Sequence, residues 1–207
     1  KAAAKKLTGD GKVGLVFNKS VGIDFSFWVE QAGGHIYDEE KDVVLIDTPE
    51  VKEAYEFILS MINDKTAKIE FEEGYITGPM SRGEAFIGFA SSSNLPKMKE
   101  ACAATGINWK VAELPKGKKA AALYSGTDIT MFNTVPEETK RAAFEFMKFW
   151  FETDTQIAWG KKSGYLPLTN AALNSKEFQD FLDKEDPSKR IASNMFPYAY
   201  QDPKGLN

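Results

Sequence analysis

Short apolar runs alternate with stretches of helical spacing along most of this chain, and that alternation restricts it to an α/β fold. Residues 12–17, 43–46, 84–90 and 109–114 read as strands, the second and third of them buried. The clearest helix opens at Thr48-Pro49-Glu50. It begins with a capping residue, a proline whose fixed φ suits the first helical position, and an acid at the positive end of the helix dipole. Val51, Ala54, Tyr55, Ile58, Leu59 and Ile62 then recur at intervals of three and four, which predicts one buried face. A second strong helix follows Pro136. Ala143, Phe146, Met147 and Trp150 share one face, and Phe144, Phe149 and Phe151 lie off it, so burial on most sides is expected. Thr153-x-x-Gln156 reads as a capping box. Further helices are predicted over 24–32, stopping at Gly33-Gly34, over 96–104, and from near Asn174 with Phe178, Phe181 and Leu182 inward. Residues 68–80 read as a short helix broken at Gly74 and Gly78, and 122–132 as a strand broken by Ser125-Gly126-Thr127.

With 43% of its 207 residues hydrophobic, the chain can build a real core. Its net charge of -4 argues against nucleic acid, whose phosphates need clustered Lys and Arg. The lysines within 116–119 read as a solvated loop. No apolar stretch is long enough to span a bilayer as a helix. The first seven residues read as the interior of a helix and 202–207 as a turn leading nowhere, so both ends read as cuts in a longer protein.

Catalytic and metal motifs are scarce. One histidine, His35 beside a turn, and one cysteine, Cys102 among alanines, assemble neither a triad nor a zinc site, and the cysteine reads as a small buried thiol. No phosphate-binding glycine motif and no calcium-hand spacing is present, so no cofactor or metal is expected. A glycoside-cleaving enzyme needs only two carboxylates brought together by folding; with 30 acids that alternative stays open, though no pair stands out. A scaffold or adhesion protein of the same fold is the other alternative.

Three loops stand apart. Ser91-Ser92-Ser93-Asn94 follows a predicted strand, Ser125-Gly126-Thr127-Asp128 interrupts an apolar run, and Ser163-Gly164-Tyr165 follows a helix. Hydroxyls and amides offer oriented hydrogen bonds, glycine bares the backbone, and an aromatic ring covers apolar C–H faces. That is the equipment for a neutral polyol.

Several segments resemble family 1 extracellular solute-binding proteins. Trp109-Lys110-Val111-Ala112-Glu113-Leu114-Pro115-Lys116-Gly117 is similar to that family's W-x-V-x-x-x-P-x-G stretch. The break at Ser125-Gly126-Thr127 follows as the family's G-G does. Lys140-Arg141-Ala142-Ala143-Phe144-Glu145-Phe146 resembles its K-x-A-A-x-x-F helix, and Trp159 through Ser163-Gly164-Tyr165-Leu166-Pro167 its W-x-x-x-T-G-Y-L-P. The resemblance implies a type II periplasmic-binding-protein-like fold of two α/β lobes with ligand in the cleft. In it, 1–118 would form the second-lobe body, 119–168 would cross back to the first lobe, and 169–207 would return to the second lobe or hinge. Without the first lobe's strands, 144–150 would be left exposed and prone to associate.

It also implies a non-enzymatic substrate-binding component of an ABC importer. Such a protein takes a sugar, oligosaccharide or glycerol-phosphate compound and delivers it to membrane permease subunits, from the periplasm or as a surface lipoprotein. The whole protein would be a monomer. Site residues carried over are Ser91, Ser92, Ser93, Asn94, Ser125, Gly126, Thr127 and Tyr165, with Asp24 and Asn207 at the margins. In phosphate-binding members an arginine follows the stretch matched by Lys204-Gly205-Leu206, where this chain has Asn207. Their tryptophan-bearing loop falls near 21–24, where no tryptophan stands. Both departures weaken the phosphate assignment and put a neutral sugar or oligosaccharide at least level with it.

Overall fold

A computed structural model describes residues 1–22 and 24–201. The chain runs α1 (Ala2–Leu7), β1 (Val13–Asn18), α2 (Phe25–Gln31), β2 (Tyr37–Asp38), β3 (Val43–Val44) and α3 (Pro49–Asn63). It continues through β4 (Ala67–Glu70), α4 (Thr77–Ser81), β5 (Ala85–Gly88), α5 (Leu95–Thr105) and β6 (Ala122–Leu123). Then come α6 (Glu137–Trp150), α7 (Thr153–Lys162), α8 (Asn170–Leu173), α9 (Lys176–Lys184), α10 (Pro187–Ser193) and β7 (Ala199–Tyr200).

The centre is a parallel sheet ordered β4-β1-β5, with Leu15 opposite Ala67 and Val13 opposite Ala85. Helices cover both faces, so β1 is buried along its middle and reads as a continuous apolar run. Leu15 and Phe17 pack into a core with Phe27, Trp28, Val29, Val51, Ala54 and Met61. Val16 packs with Ile76 and Ala85. The Trp28 ring meets Phe17, Phe27 and Phe89 edge-on at 5.0–5.7 Å, favoured geometries for aromatic pairs. A separate core, Ile157, Ala172, Phe178, Phe181 and Leu182, ties α7, α8 and α9 together.

Local signals succeeded where they were strong. Thr48 caps α3, accepting from Val51 N at 3.3 Å, with Pro49 at the first turn. Within α3 the buried residues are Val51, Ala54 and Met61, whereas Tyr55 and Leu59 face outward, so the contact face is rotated from the predicted one. Ser175 caps α9, and Phe178, Phe181 and Leu182 are inward as expected.

Other expectations need correction. The strand at 43–46 is an exposed hairpin arm: among the described residues β3 pairs with β2 alone, and Ile46 is 72% exposed. Residues 68–80 hold β4 and α4 rather than a broken helix. β4 exists because β1 offers it a partner, and four residues are too few for a periodicity to show. Residues 109–114 form no strand, since no described strand pairs with them. Of 122–132 only Ala122–Leu123 is extended in a sheet, paired parallel with β7. α7 is capped at Glu152, so Thr153-x-x-Gln156 makes no capping box; Gln156 is 1% exposed and bonds elsewhere. α6 has no buried residue. Only Lys140, Ala143, Met147 and Trp150 are half-buried, while Phe144, Phe146 and Phe149 stand about half exposed.

Candidate functional site

The three parallel strands end at one edge of the sheet, at Asn18, Glu70 and Gly88. In open α/β sheets the ligand crevice lies outside the carboxyl ends of the strands. The loops leaving these ends are laced together. Asn18 Oδ1 accepts from Ile76 N at 2.9 Å, Asn18 Nδ2 donates to Phe89 O at 3.4 Å, and Lys19 N donates to Gly74 O at 3.0 Å.

The loop after β5 is the serine loop. Ser91 caps a short 3-10 turn over Ser92–Asn94, its hydroxyl accepting from Ser93 N at 3.3 Å and from the Ser93 hydroxyl at 3.0 Å. Ser91 is exposed, and Ser92, Ser93 and Asn94 are half-buried. The Asn94 amide is engaged with Thr77 on α4, at 2.8 and 3.2 Å, which anchors the turn to the body. Beside this anchor lies a recess of about 290 Å³ lined by Tyr75, Thr77, Arg82, Asn94 and Lys97. Glu84 and Glu73 hold the Arg82 guanidinium and raise its pKa, so two carboxylates already match its charge.

The second loop comes from the end of α7. The Ser163 hydroxyl donates to Trp159 O at 2.8 Å and accepts from Tyr165 N at 3.1 Å, a local turn that aims the tyrosine. Gly164 is buried against the serine loop, where an added Cβ would fall 2.5 Å from Ser92 O and 2.6 Å from Ser93 C. Only glycine admits that approach. Two loops some 70 residues apart in sequence are therefore in backbone contact.

Tyr165 stacks on Trp159, with ring centroids 6.3 Å apart and planes inclined by 24°. Its hydroxyl lies 3.4 Å from Thr127 Oγ1. That contact brings in the third loop, whose Ser125, Gly126 and Thr127 are exposed and carry no regular structure. Nothing lies within 4 Å of where a Gly126 Cβ would sit, so its backbone faces open space. The Trp159 ring in turn meets Trp150 edge-on at 5.1 Å, beside an open apolar groove of about 440 Å³.

Of the ten predicted site residues, the structure gathers Ser91, Ser92, Ser93, Asn94, Thr127 and Tyr165 into one chain of contacts, with Ser125 and Gly126 adjoining Thr127. Asp24 stands just before α2, after the carboxyl end of β1, where its carboxylate accepts from Ser20 Oγ at 2.9 Å. Asn207 lies outside the described residues. Sequence reasoning missed Thr77 and Lys189 and gave Gln156 a capping role instead of its bond to Leu168 N; a lone polar residue inside a helix carries no local signal of holding a loop from behind. His35 contacts Glu30 with an exposed ring, and burial pushes the Cys102 thiol pKa up, away from nucleophile chemistry. Among the described residues no group of three or more metal-ligating side chains forms, and no helix is long and apolar enough to cross a membrane.

A sequence profile described as "Bacterial extracellular solute-binding protein" matches residues 1–185. The chain belongs to that family. Among curated relatives of this solute-binding protein is the sn-glycerol-3-phosphate-binding periplasmic protein UgpB of Pectobacterium atrosepticum, 29% identical over 118 residues, 55% of this chain and 26% of that protein. UgpB of Yersinia enterocolitica is 26% identical over 160 residues, 72% of this chain and 35% of that protein. Among solved structures, UgpB from Mycobacterium tuberculosis with glycerophosphocholine superposes with a TM-score of 0.79 at 21% identity, covering 96% of this chain and 49% of that one. MalE from Bdellovibrio bacteriovorus, bound to maltotriose, gives 0.78 at 19% identity, covering 98% and 54%. The fold is thus of the type II periplasmic-binding-protein class. The chain spans about half the length of these solved structures and 26% and 35% of the two curated relatives.

Proposed function

We propose that this chain supplies one side of the ligand cleft in the substrate-binding component of an ABC importer. It captures a small polar solute by hinge closure and presents it to membrane permease subunits, without catalysis. Such a protein works outside the cytoplasmic membrane, in the periplasm or anchored at the surface as a lipoprotein, and the whole protein is a monomer. The observation that carries this reading is the junction of three polar loops through Gly164 against Ser92–Ser93 and through Tyr165 against Thr127.

Ser91, Ser92, Ser93, Asn94, Ser125, Gly126, Thr127 and Tyr165 are all uncharged, and the marginal Asp24 is an acid. A phosphate would meet no cation among these residues, so a neutral sugar or oligosaccharide fits better than a glycerol phosphate. The hydroxyls would bond its rim and the Tyr165 ring would cover its C–H face. Closure would then follow the usual logic of a ligand that bridges two lobes and shifts the population toward the closed form.

The test is a titration of the protein with a panel of neutral sugars, maltodextrins and glycerol phosphates, followed by calorimetry and by tryptophan emission. Trp159 stacks on Tyr165 and meets Trp150 on its other side, so a bound sugar should change the emission. A neutral sugar binding more tightly than any phosphorylated compound supports the proposal. Silence across the panel sinks it, and preference for a phosphate overturns the choice of solute.

A further inference from the structure

Lys189 lies on α10, with α8 and α9 between it and the Tyr165 loop in sequence, yet it is 1% exposed. A buried ammonium is costly unless its donors are matched. Here they are matched to the end of another helix. Lys189 Nζ donates to Gly160 O and to Ser163 O, at the carboxyl end of α7. The third direction faces the Phe181 ring, 5.5 Å from its centroid. Burial holds the Lys189 pKa below its usual value, and the neighbouring Asp186 works against that fall.

The last carbonyls of a helix need partners from outside it. α7 ends with Ser163 in an extended conformation, without the left-handed residue that commonly closes a helix. The ammonium takes over that task and also suits the negative end of the helix dipole. It grips the very residue, Ser163, whose hydroxyl sets the turn into Gly164 and Tyr165.

α10 is fixed in its turn to the serine loop. Its cap is Asp186, which accepts from Lys189 N at 3.2 Å and pairs with Lys99 Nζ at 2.7 Å. Lys99 stands on α5, the helix that the serine loop leads into. The contacts form a closed ring: serine loop, α5, Lys99, Asp186, Lys189, Ser163, Gly164, and back to Ser92–Ser93.

We propose that Lys189 is the positioning residue of this ring: by holding Gly160 O and Ser163 O it sets where Tyr165 stands relative to the serine loop. Its consequence for solute rests on the reading of Tyr165 as a ligand contact. The grip on the loop does not depend on that reading.

Lys189→Met keeps the volume and removes the donors. Amide hydrogen exchange is measured without solute, comparing the Tyr165 amide with that of Leu168, which Gln156 Oε1 holds at 2.8 Å, and of Val16 in the core. The expected result is a selective rise at Tyr165 of about 10- to 100-fold, the loss of charge-assisted hydrogen bonds. Lys99→Met, which leaves both carbonyl bonds in place, should raise it far less. Should the methionine variant fail to fold, Lys189→Gln, too short to satisfy both carbonyls, reads the same ratio. Exchange at Tyr165 equal to wild type, or a uniform rise at all three amides, overturns the proposal. The affinity arm separates the two ideas. A loosened Tyr165 with weakened sugar binding supports both, whereas a loosened Tyr165 with undiminished sugar binding upholds Lys189 and refutes the reading of the tyrosine.

Discussion

Gly164→Ala tests the junction of the serine and tyrosine loops most directly. The new Cβ would fall 2.5 Å from Ser92 O and 2.6 Å from Ser93 C. Ordinary carbon contacts lie near 3.5–4.0 Å, so the two backbones must part by about 1 Å. Neither side yields easily: Ser163 is held by Lys189, and Asn94 is held by Thr77. Overpacking of this kind costs about 1–3 kcal/mol. If the strain is relieved by separating the loops, a solute that touches both loses about 5- to 150-fold in affinity. Gly126→Ala is the control for backbone effects, because its Cβ would enter open space. The assays are calorimetry with the sugar identified in the panel and thermal unfolding of each variant. Gly164→Ala should weaken binding and lower the midpoint, while Gly126→Ala should leave the midpoint alone and weaken binding only if solute approaches that backbone. A Gly164→Ala protein with wild-type affinity and midpoint would refute the argument that the loops meet there.

Two further outcomes follow from the same structure. Burial pushes the Glu70 pKa up, but the Glu73 and Glu72 backbone N–H groups and the Lys68 ammonium outweigh it and hold the carboxyl below its usual value. A depressed carboxylate contributes stability that is present above the unfolded value, about 4.3, and is lost as pH falls through the folded one. Glu70→Gln should therefore narrow the stability difference between neutral and strongly acidic pH in urea titrations; an unchanged difference would count against the bonds to Glu72 and Glu73. On α6, Phe144, Phe146 and Phe149 are 55%, 53% and 49% exposed, and Phe151 just beyond it is 54% exposed. These 207 residues prepared alone should therefore associate, and Phe146→Lys with Phe149→Lys should reduce the mass seen by light scattering, whereas a monomer at high concentration would show the face to be inert.

What the sequence revealed and concealed divides by range. Thr48-Pro49 and Ser175 declare helix starts because a cap acts within three residues. The run around Val16 reads as a strand because both faces of the sheet are covered there, whereas the run around Ile87 is a strand but not the buried one expected, since Phe86 is 45% exposed. The segment at 109–114 has comparable apolar content but no partner strand, and β4 has a partner but little pattern. Pairing decides those cases, and pairing is a long-range fact. The three loops were legible as polar interruptions. Their meeting was not, because it depends on a Cβ missing at Gly164 and on Lys189, whose neighbours in sequence say nothing about Ser163. The phenylalanines of α6 misled for a related reason: apolar spacing announces that a face wants a partner, and supplies no statement of where the partner is.

The three loops are not held equally, and under the proposed function the difference would give them different parts in closure. The serine and tyrosine loops are fixed by glycine packing, by the buried Lys189 and by Gln156, whose amide also donates to Trp150 O at 2.6 Å. The Ser125–Thr127 loop has one tie to them, a hydroxyl contact of 3.4 Å at the weak limit of hydrogen bonding, and it is exposed throughout. Local stability follows packing and buried hydrogen bonds, so this loop is the compliant member. A solute seated against Ser92 and Tyr165 gains most by drawing Thr127 in. Bound sugar should therefore slow amide exchange more at 125–128 than at 163–165, where the free protein is already ordered. Equal protection of both loops, or protection confined to 163–165, would show that the third loop takes no part in the grip.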